Sequence, residues 1–326
     1  MATLVTGGNG FIGSNVVKLL AERGHQVISL DIAEPDNLVH RYLEPLIYRV
    51  VWVQADILDA AALERAVTGY RLDRIVHAAV YTAVQEDLER AESRRIIDIN
   101  LVGTANLLEV ARKSSARRFV YISSGGVYGT GRSPSEPLKE DTPLDPDSLY
   151  GITKYASELI TRRYGALHRL ETASIRLSGP YGPMERVTGH RAAMSSMYHW
   201  TAQAVRGEPV EIAPRGTSGD LTYVLDIANG IATILDAPAL HYRVYNLSSG
   251  RIVSLGELRE AFRAAVPAVK IALPSPGRED ATGFGYGRGP LDTTRIRTDL
   301  GFAPRYDLAS GVREYINWRR ANEFLA

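Results

Sequence analysis

A tyrosine and a lysine lie four residues apart at Tyr150 and Lys154, a spacing that places both side chains on one face of a helix predicted to continue to about Leu167. A phenol with an ordinary pKa of about 10 is a weak base at neutral pH, and a neighbouring ammonium group favours its phenolate. The pair could therefore take a proton from a substrate hydroxyl. The same spacing also arises by chance on solvated helices, so taken alone it leaves both interpretations open.

Ser124 strengthens the catalytic interpretation, because it directly follows a β-rich run at Arg118–Ser123. Ligands of open parallel sheets bind at the carboxyl ends of the strands. A serine at this edge could donate a hydrogen bond to a substrate oxygen and orient it against Tyr150. Loss of the hydroxyl proton would then accompany hydride transfer to a nicotinamide.

The N-terminal segment predicts where that nicotinamide cofactor binds. Gly7, Gly10 and Gly13 lie between a predicted strand and a predicted helix. The first glycine permits a tight turn, the second lets the backbone approach a pyrophosphate, and the third lets the helix pack closely on the strand. The helix N-terminus presents free amide groups and the positive end of its dipole to the phosphates. Phe11 and Ile12, inside this loop, are also expected to contact the cofactor.

Asp31 ends the second predicted strand, 18 residues after Gly13, where its carboxylate can accept hydrogen bonds from the adenosine ribose. It would repel a 2′-phosphate, and residues 32–34 offer no basic partner for one, so NAD is expected rather than NADP. The alternative is a capping aspartate. Asp56 and Ile57, after the third strand, are candidates for the adenine edge, with a helix N-cap as the alternative for Asp56.

The elements that position these residues alternate between short β-rich runs and longer helical patterns from Ala2 to about Ala173, which predicts βαβ units and a parallel sheet. The predicted strands are Thr3–Thr6, Gln26–Asp31, Val50–Gln54, Arg74–Ala78, Arg118–Ser123 and Thr172–Arg176. The fold class is therefore α/β, a Rossmann-type doubly wound parallel sheet, with a smaller discontinuous α/β unit for the substrate.

After Arg176 the pattern loosens into turns. The later predicted elements are a helix around Ala192–Arg206, a strand at Val210–Ile212, a return to the first domain at Tyr223–Leu235, a strand at Val244–Leu247, a helix at Leu255–Ala265 and a mobile glycine-rich loop at Gly283–Gly289. The domains follow as residues 1–176 plus about 220–240 for NAD, and about 177–219 plus 241–326 for the substrate.

Composition excludes several other classes of function. The 326 residues include 38 Lys or Arg against 37 Asp or Glu, so no overall field favours nucleic acid or an acidic membrane. There is no cysteine, no apolar run long enough for a membrane span and no signal-peptide pattern, so we expect a soluble, cytoplasmic protein. The seven histidines lack the paired spacing of a metal site, so no metal is expected.

Together, these motifs resemble the extended short-chain dehydrogenases/reductases, in the group of NAD-dependent nucleotide-sugar epimerases and dehydratases. The resemblance rests on Thr6–Gly13, Asp31, Asp56, His77–Ala79, Asn100, Ser124, Val127–Gly129, Tyr150, Lys154 and Tyr223–Asp226. It implies that Ser124, Tyr150 and Lys154 form the catalytic triad. It also implies that Ala78 and Ala79 line the pyrophosphate, that Asn100 and Ser123 lie near the nicotinamide, and that a homodimer forms through the helices following Glu92 and Leu149.

The chain departs from this group at several positions. Dehydratases of the group carry acidic residues after the catalytic hydroxyl, where this chain has Gly125 and Gly126, so oxidation or epimerisation is expected instead. Ser178 replaces an asparagine usual in nucleotide-sugar enzymes. Gly219 replaces an arginine, which removes a bidentate clamp for a diphosphate. The candidate substrate ligands are therefore Ser124 and Ser178, and Arg215 or Arg278 could replace the missing clamp. Arg186 and Arg191 could bind a smaller anion such as a carboxylate. The alternative for these two arginines is a solvated loop.

The sequence thus predicts an NAD-dependent sugar epimerase, acting on a nucleotide sugar through transient oxidation of a secondary alcohol to a ketone. A net dehydrogenase of a free sugar, sugar acid or polyol, and a non-catalytic dinucleotide-binding protein, remain as alternatives.

Overall fold

The computed structural model describes residues 2–130, 133–189, 194–212, 218–273 and 287–324. Its centre is a seven-stranded parallel sheet formed by β1 (Ala2–Thr6), β2 (Gln26–Asp31), β3 (Val50–Gln54), β4 (Leu72–His77), β5 (Arg118–Ser124), β6 (Glu171–Leu177) and β11 (Val244–Leu247). The strand order is β11-β6-β5-β4-β1-β2-β3, and every pairing is parallel. The predicted parallel α/β sheet is confirmed, with strand bounds that differ by at most two residues.

The helices are α1 (Phe11–Glu22), α2 (Asn37–Leu43), α3 (Ala60–Val67), α4 (Glu86–Ile97), α5 (Gly103–Lys113), α6 (Leu149–His168), α7 (Ser196–Arg206), α8 (Val224–Asp236), α9 (Leu255–Ala265), α10 (Thr294–Leu300) and α11 (Leu308–Ala321). The described residues also form six two-residue strands, β7 (Pro180–Tyr181), β8 (Val210–Glu211), β9 (Ser218–Gly219), β10 (Thr222–Tyr223), β12 (Val253–Ser254) and β13 (Ile271–Ala272), and 3-10 helices at Glu44–Arg49 and Gly125–Tyr128. A π-helical turn at Asp98–Val102 joins α4 to α5.

Helices cover both faces of the sheet, as a doubly wound fold requires. On one face α1 and α8 bury apolar side chains such as Val17 and Ile231 against the strands. On the other face α3 and α5 do the same through Leu63 and Leu107. Because both faces are covered, most residues of these strands are buried.

A second core lies between α7, α9 and α11, where Trp200, Phe262 and Ile316 are buried together. The predicted strand Val244–Leu247 was assigned to this smaller unit, yet as β11 it pairs with β6 in the central sheet. We therefore place the proposed boundary of the substrate unit after Leu247. The predicted helix at 192–206 begins at Ser196 among the described residues.

No helix of the described residues is long and apolar enough to cross a membrane. Within the same ranges, no group of three or more histidine, aspartate or glutamate side chains could hold a metal ion.

A buried ion pair fixes α6 to the sheet. The Arg176 guanidinium of β6 donates to both carboxylate oxygens of Glu158 on α6, at 3.0 and 2.8 Å, and both side chains are only 4% exposed. The Ser123 hydroxyl of β5 donates to the same carboxylate at 2.5 Å. Removing one partner of a buried pair leaves an uncompensated charge away from water, so this contact constrains the helix strongly.

We predict that Glu158→Gln lowers the free energy of unfolding by about 3 kcal/mol, because the Arg176 charge then stays buried without its counterion. Urea denaturation at pH 7 measures this change. The matched variant Glu64→Gln breaks an ion pair with Lys113 in which both side chains are about half exposed, and should cost less than about 1 kcal/mol. Equal costs for the two variants would contradict the buried-pair account.

Candidate active site

The glycine loop between β1 and α1 is closed so tightly that side chains are excluded from it. Gly7 has φ +67°, and a Cβ there would lie 2.7 Å from the Ala79 nitrogen. A Cβ at Gly13 would lie 1.9 Å from the Gly7 carbonyl oxygen, so the third glycine brings α1 against the strand. Gly10 is the N-cap of α1 and provides no side-chain cap. The helix thus begins at Phe11 and Ile12 with its N-terminus open to an anion.

Ala78 and Ala79 form the opposite wall of this loop. The Ala78 amide donates to the Thr6 carbonyl oxygen at 3.2 Å, and the Ala79 amide to the Thr6 hydroxyl at 3.4 Å. These bonds hold the end of β4 directly against Gly7. The two alanines therefore lie against the glycine loop, and the pyrophosphate contact that the resemblance implies for them stays a prediction.

Asp31 lies at the end of β2, next to the loop. Its Oδ2 accepts the Asn9 amide at 3.0 Å, which fixes the carboxylate at the edge where a ribose would lie. It does not cap a helix, because α2 is capped by Asp36. The glycine cradle, the open helix end and this carboxylate together fit the pyrophosphate and adenosine ribose of NAD.

Asp56 and Ile57 follow β3, on the same side as Asp31. The Asp56 Oδ1 accepts the Leu58 amide at 2.9 Å, whereas the cap of α3 is Asp59. The N-cap alternative for Asp56 is therefore wrong. Asp56 and Leu58 line one wall of a cleft of about 520 Å³, with Ile32 at its end and α4 opposite. An adenine ring would find both an acceptor and apolar contacts here.

We predict that Asp31→Ser lowers the affinity for NAD by about 10- to 100-fold, the value of one or two hydrogen bonds to a charged group. The affinity for NADP should fall less, because a carboxylate that repels the 2′-phosphate is removed. Isothermal titration with both cofactors measures the ratio. Asp59→Ser, at the cap of α3, serves as control, and an unchanged NAD-to-NADP ratio in Asp31→Ser would refute the assignment.

The structure brings Ser124, Tyr150 and Lys154 together at the carboxyl end of β5. The Ser124 Oγ accepts the Gly126 amide at 3.0 Å. A Cβ at Gly126 would lie 3.3 Å from that Oγ and 3.8 Å from the Tyr150 ring. The two hydroxyl-bearing side chains thus flank one backbone position that carries no side chain of its own. The Lys154 Nζ lies 5.8 Å from the centre of the Tyr150 ring.

Tyr150 owes its position to the start of α6. Ser148 caps this helix, with its hydroxyl accepting the Gly151 amide at 3.2 Å. Tyr150 is therefore in the first turn, and Lys154 lies one turn further along the same face. The predicted helix to about Leu167 is confirmed as Leu149–His168.

Lys154 is buried, with 3% of its surface exposed, and its Nζ donates to the Ile122 carbonyl oxygen at 2.7 Å. Burial lowers the pKa of its ammonium group to about 7, and the Glu158 carboxylate opposes that shift. Around neutral pH this group can therefore hold or release a proton next to Tyr150. A cation here lowers the cost of forming the tyrosine phenolate.

We predict that Lys154→Met raises the free energy of unfolding by about 2 kcal/mol at pH 6, since burying the ammonium group disfavours its charged form. The folded pKa lies below the ordinary value of 10.5, so the burial penalty is complete below about pH 7 and vanishes as the pH approaches 10.5. The gain in the variant should shrink over this range.

Thermal or urea unfolding at pH 6 and pH 10 measures the gain. Lys113→Met, at an exposed lysine on α5, is the control and should change stability by no more than about 0.5 kcal/mol. A gain in Lys154→Met that is independent of pH would contradict a buried charge.

Asn100 and Ser123 lie close to this site, but their side chains bond to protein. Asn100, in the π-helical turn, accepts the Tyr81 amide at 2.9 Å and donates to the Tyr81 carbonyl and the Thr153 hydroxyl. The Ser123 hydroxyl donates to Glu158. In the structure their side chains position the Tyr81 turn and α6. The place near the nicotinamide that the resemblance implies for both residues stays a prediction.

Arg186 is bonded to protein on the glycine loop. Its Nη2 donates to the Asn9 carbonyl at 3.0 Å and its Nε to the Asp36 carboxylate at 3.1 Å. These bonds do not favour the predicted role of Arg186 in binding a small substrate anion, which stays a prediction. Ser178 is buried after β6. Arg191, Arg215 and Arg278 lie outside the described residues.

Sequence reasoning missed Arg288. Its Nη2 lies 3.0 Å from the position that a Cβ would take at Gly125, the residue after Ser124. The segment Gly283–Gly289 was predicted to be a mobile loop; residues 283–286 lie outside the described ranges, but Gly289 packs against the Glu136 carbonyl oxygen. No motif marks an arginine between glycines, and only the tertiary fold shows its proximity to the site.

The chain is similar to known proteins over nearly its whole length. Residues 3–248 match the model of the NAD dependent epimerase/dehydratase family. The UDP-glucose 4-epimerase of Mycolicibacterium smegmatis is 30% identical over 322 residues, which cover 98% of this chain and 99% of that protein. The solved structure of the Thermotoga maritima UDP-glucose 4-epimerase with UDP-glucose superposes with a TM-score of 0.83 at 26% identity, covering 99% of this chain and 100% of that one. The Thermus thermophilus UDP-glucose 4-epimerase with NAD gives 0.80 at 27% identity, covering 98% and 99%.

Proposed function

This chain belongs to the NAD dependent epimerase/dehydratase family, and we propose that it is a nucleotide-sugar epimerase that inverts a secondary alcohol through a transient ketone. The observation that carries the proposal is the convergence of Ser124 and Tyr150 on either side of Gly126, with the Lys154 ammonium behind the tyrosine. The relatives named as UDP-glucose 4-epimerases, aligned over nearly their whole length, support the same activity.

Each of the three side chains has a separate task in this proposal. Ser124 donates a hydrogen bond to the reacting oxygen and fixes its direction. The Tyr150 phenolate takes the hydroxyl proton and later returns it to the same oxygen. Lys154 lowers the energy of the phenolate by its charge. NAD held in this site would supply the acceptor, and then the donor, of the hydride that leaves and returns to the carbon.

The cofactor would be held by residues on the loops that follow β1, β2, β3 and β4. We propose that the pyrophosphate lies over Gly7, Gly10, Phe11, Ile12 and Gly13, against Ala78 and Ala79. Asp31 would accept the adenosine ribose hydroxyls, and Asp56 and Ile57 would meet the adenine ring. The open N-terminus of α1 and the fixed Asp31 carboxylate support this arrangement.

Dehydration is disfavoured by the two residues that follow Ser124. Elimination needs an acid to protonate the departing hydroxyl, and the chain has only backbone at these positions. Gly126 faces the Ser124 hydroxyl and the Tyr150 ring, and Gly125 faces Arg288. The site therefore supports oxidation and its reversal.

We further propose a cytoplasmic homodimer joined through α6 and the helices that follow Glu92. Ile152 and Leu159 are exposed seven residues apart on α6, which places them on one face, and Val102 is exposed at the start of α5. Burying such an apolar surface against a second copy would be favourable. Each protomer would combine the NAD-binding sheet with the smaller substrate unit.

The direct experiment incubates the protein with NAD and UDP-glucose or UDP-glucuronate and follows the sugar by NMR. Appearance of the epimer without accumulation of NADH supports the proposal. Accumulation of NADH in step with product would instead indicate a net dehydrogenase. Absence of any turnover with bound NAD would indicate a non-catalytic dinucleotide-binding protein.

We predict that Tyr150→Phe lowers kcat by about 100- to 10,000-fold, because the variant loses the group that exchanges the proton. Initial rates of epimer formation at saturating substrate measure the loss. Tyr155→Phe, five residues further along α6, is the matched control and should retain kcat within about threefold. Full activity in Tyr150→Phe would eliminate it as the base.

A further inference from the structure

We propose that Arg288 binds a carboxylate on the sugar carbon next to the one that is oxidised, so that the preferred substrate is a nucleotide-linked uronic acid. The inference rests on the proposed function, because it takes the oxidised carbon to lie at Ser124 and Tyr150. It adds the chemical class of the substrate and the residue that selects it.

The first observation is the place of the guanidinium. Its Nη2 lies 3.0 Å, and its Cζ 3.6 Å, from the position of a Cβ at Gly125. The Leu177 carbonyl oxygen, at the end of β6, is 3.2 Å from the same position. The cation thus packs against bare backbone at the carboxyl ends of β5 and β6, one residue beyond Ser124.

The second observation is that the backbone carrying Arg288 is fixed. The Leu138 amide donates to the Pro290 carbonyl at 2.8 Å, and the Asp292 amide donates to the Leu138 carbonyl at 2.9 Å. Gly289 packs so closely that a Cβ would lie 1.9 Å from the Glu136 carbonyl oxygen. The arginine therefore starts from a fixed backbone, which reduces the entropy lost on binding.

Asp220 fixes the same segment from the other side. This buried carboxylate accepts the Leu291 amide at 3.0 Å and the Ser249 hydroxyl at 2.8 Å. Burial raises its pKa, whereas these hydrogen bonds and the charge of Arg288 lower it. Asp220 thus helps to hold Arg288 electrostatically at the carboxyl ends of β5 and β6.

The chemistry of the ligand follows from this order of residues. In this proposal Ser124 holds the oxygen under oxidation, and the guanidinium lies at the neighbouring residue, Gly125, within reach of a substituent on the adjacent ring carbon. A carboxylate there can form the parallel, charge-assisted pair that arginine favours. A neutral hydroxymethyl group at this position can form neither the second parallel hydrogen bond nor an ion pair with the guanidinium.

The test compares the binding of UDP-glucuronate and UDP-glucose to the NAD-loaded protein by isothermal titration. Wild-type protein is expected to bind the uronate more tightly. Arg288→Met should lower the ratio of the two affinities by about 10- to 100-fold. Gly125→Ala, whose methyl group displaces the guanidinium without removing its charge, should lower the same ratio. Arg297→Met, at an exposed arginine on α10, is the matched control and should leave the ratio unchanged.

Three results would overturn the proposal. The first is an equal loss of affinity for both ligands in Arg288→Met, which is expected if the arginine holds the diphosphate that both ligands share. The others are a wild-type protein with no preference for the uronate, and a protein that binds neither ligand. Turnover, measured separately, distinguishes this failure from that of the proposed function. Selective uronate binding without epimerisation would refute the epimerase and keep the carboxylate site. Epimerisation of UDP-glucose by a protein that binds the two ligands equally would support the epimerase and refute the carboxylate site.

Discussion

The active site depends on how closely α6 packs on the end of β5. Three contacts on one face of the helix set that distance. A Cβ at Gly151 would lie 2.9 Å from the Gly126 carbonyl oxygen, so the first turn meets backbone directly. One turn later Lys154 donates to the Ile122 carbonyl, and after another turn Glu158 accepts the Ser123 hydroxyl. These contacts hold the start of α6 against β5, so that Ser124 and the Tyr150 ring both lie beside Gly126.

This packing places charge where water is excluded. Lys154 and Glu158 are both buried, and Arg176 balances the carboxylate from β6. Burial lowers the pKa of Lys154 to about 7, which costs stability but gives the site a cation whose proton is exchangeable near neutral pH. Proteins commonly accept such a cost at functional sites. The Glu158–Arg176 pair limits this cost in stability by fixing the geometry around the lysine.

Local sequence patterns predicted most of the sheet and the catalytic and cofactor loops. The glycine loop, Asp31 and the Tyr150–Lys154 spacing each lie within one strand–turn–helix unit, so their geometry follows from local rules. The strand β11 was recognised but placed in the wrong unit, since only pairing with β6 decides its sheet. Asp59 rather than Asp56 caps α3, because the helix begins three residues later than the aspartate suggested.

Arginines were the hardest residues to place from sequence. Arg186 bonds to Asn9, 177 positions away along the chain, and Arg288 reaches Gly125 across the fold. A long, flexible cation carries no periodic signal, and its partner is set by tertiary contacts alone. The side chains of Asn100 and Ser123 show the same limitation, since both lie near the site but bond inward to protein.

The central claim is that one carbon loses a hydride and regains it within a single active site. The most direct measurement is epimerisation of a nucleotide sugar that carries deuterium at the inverted carbon, followed by NMR or mass spectrometry. The account predicts that the deuterium is retained at that carbon in the epimer, with none lost to water. Loss of the label to solvent, or its recovery in released NADH, would contradict it.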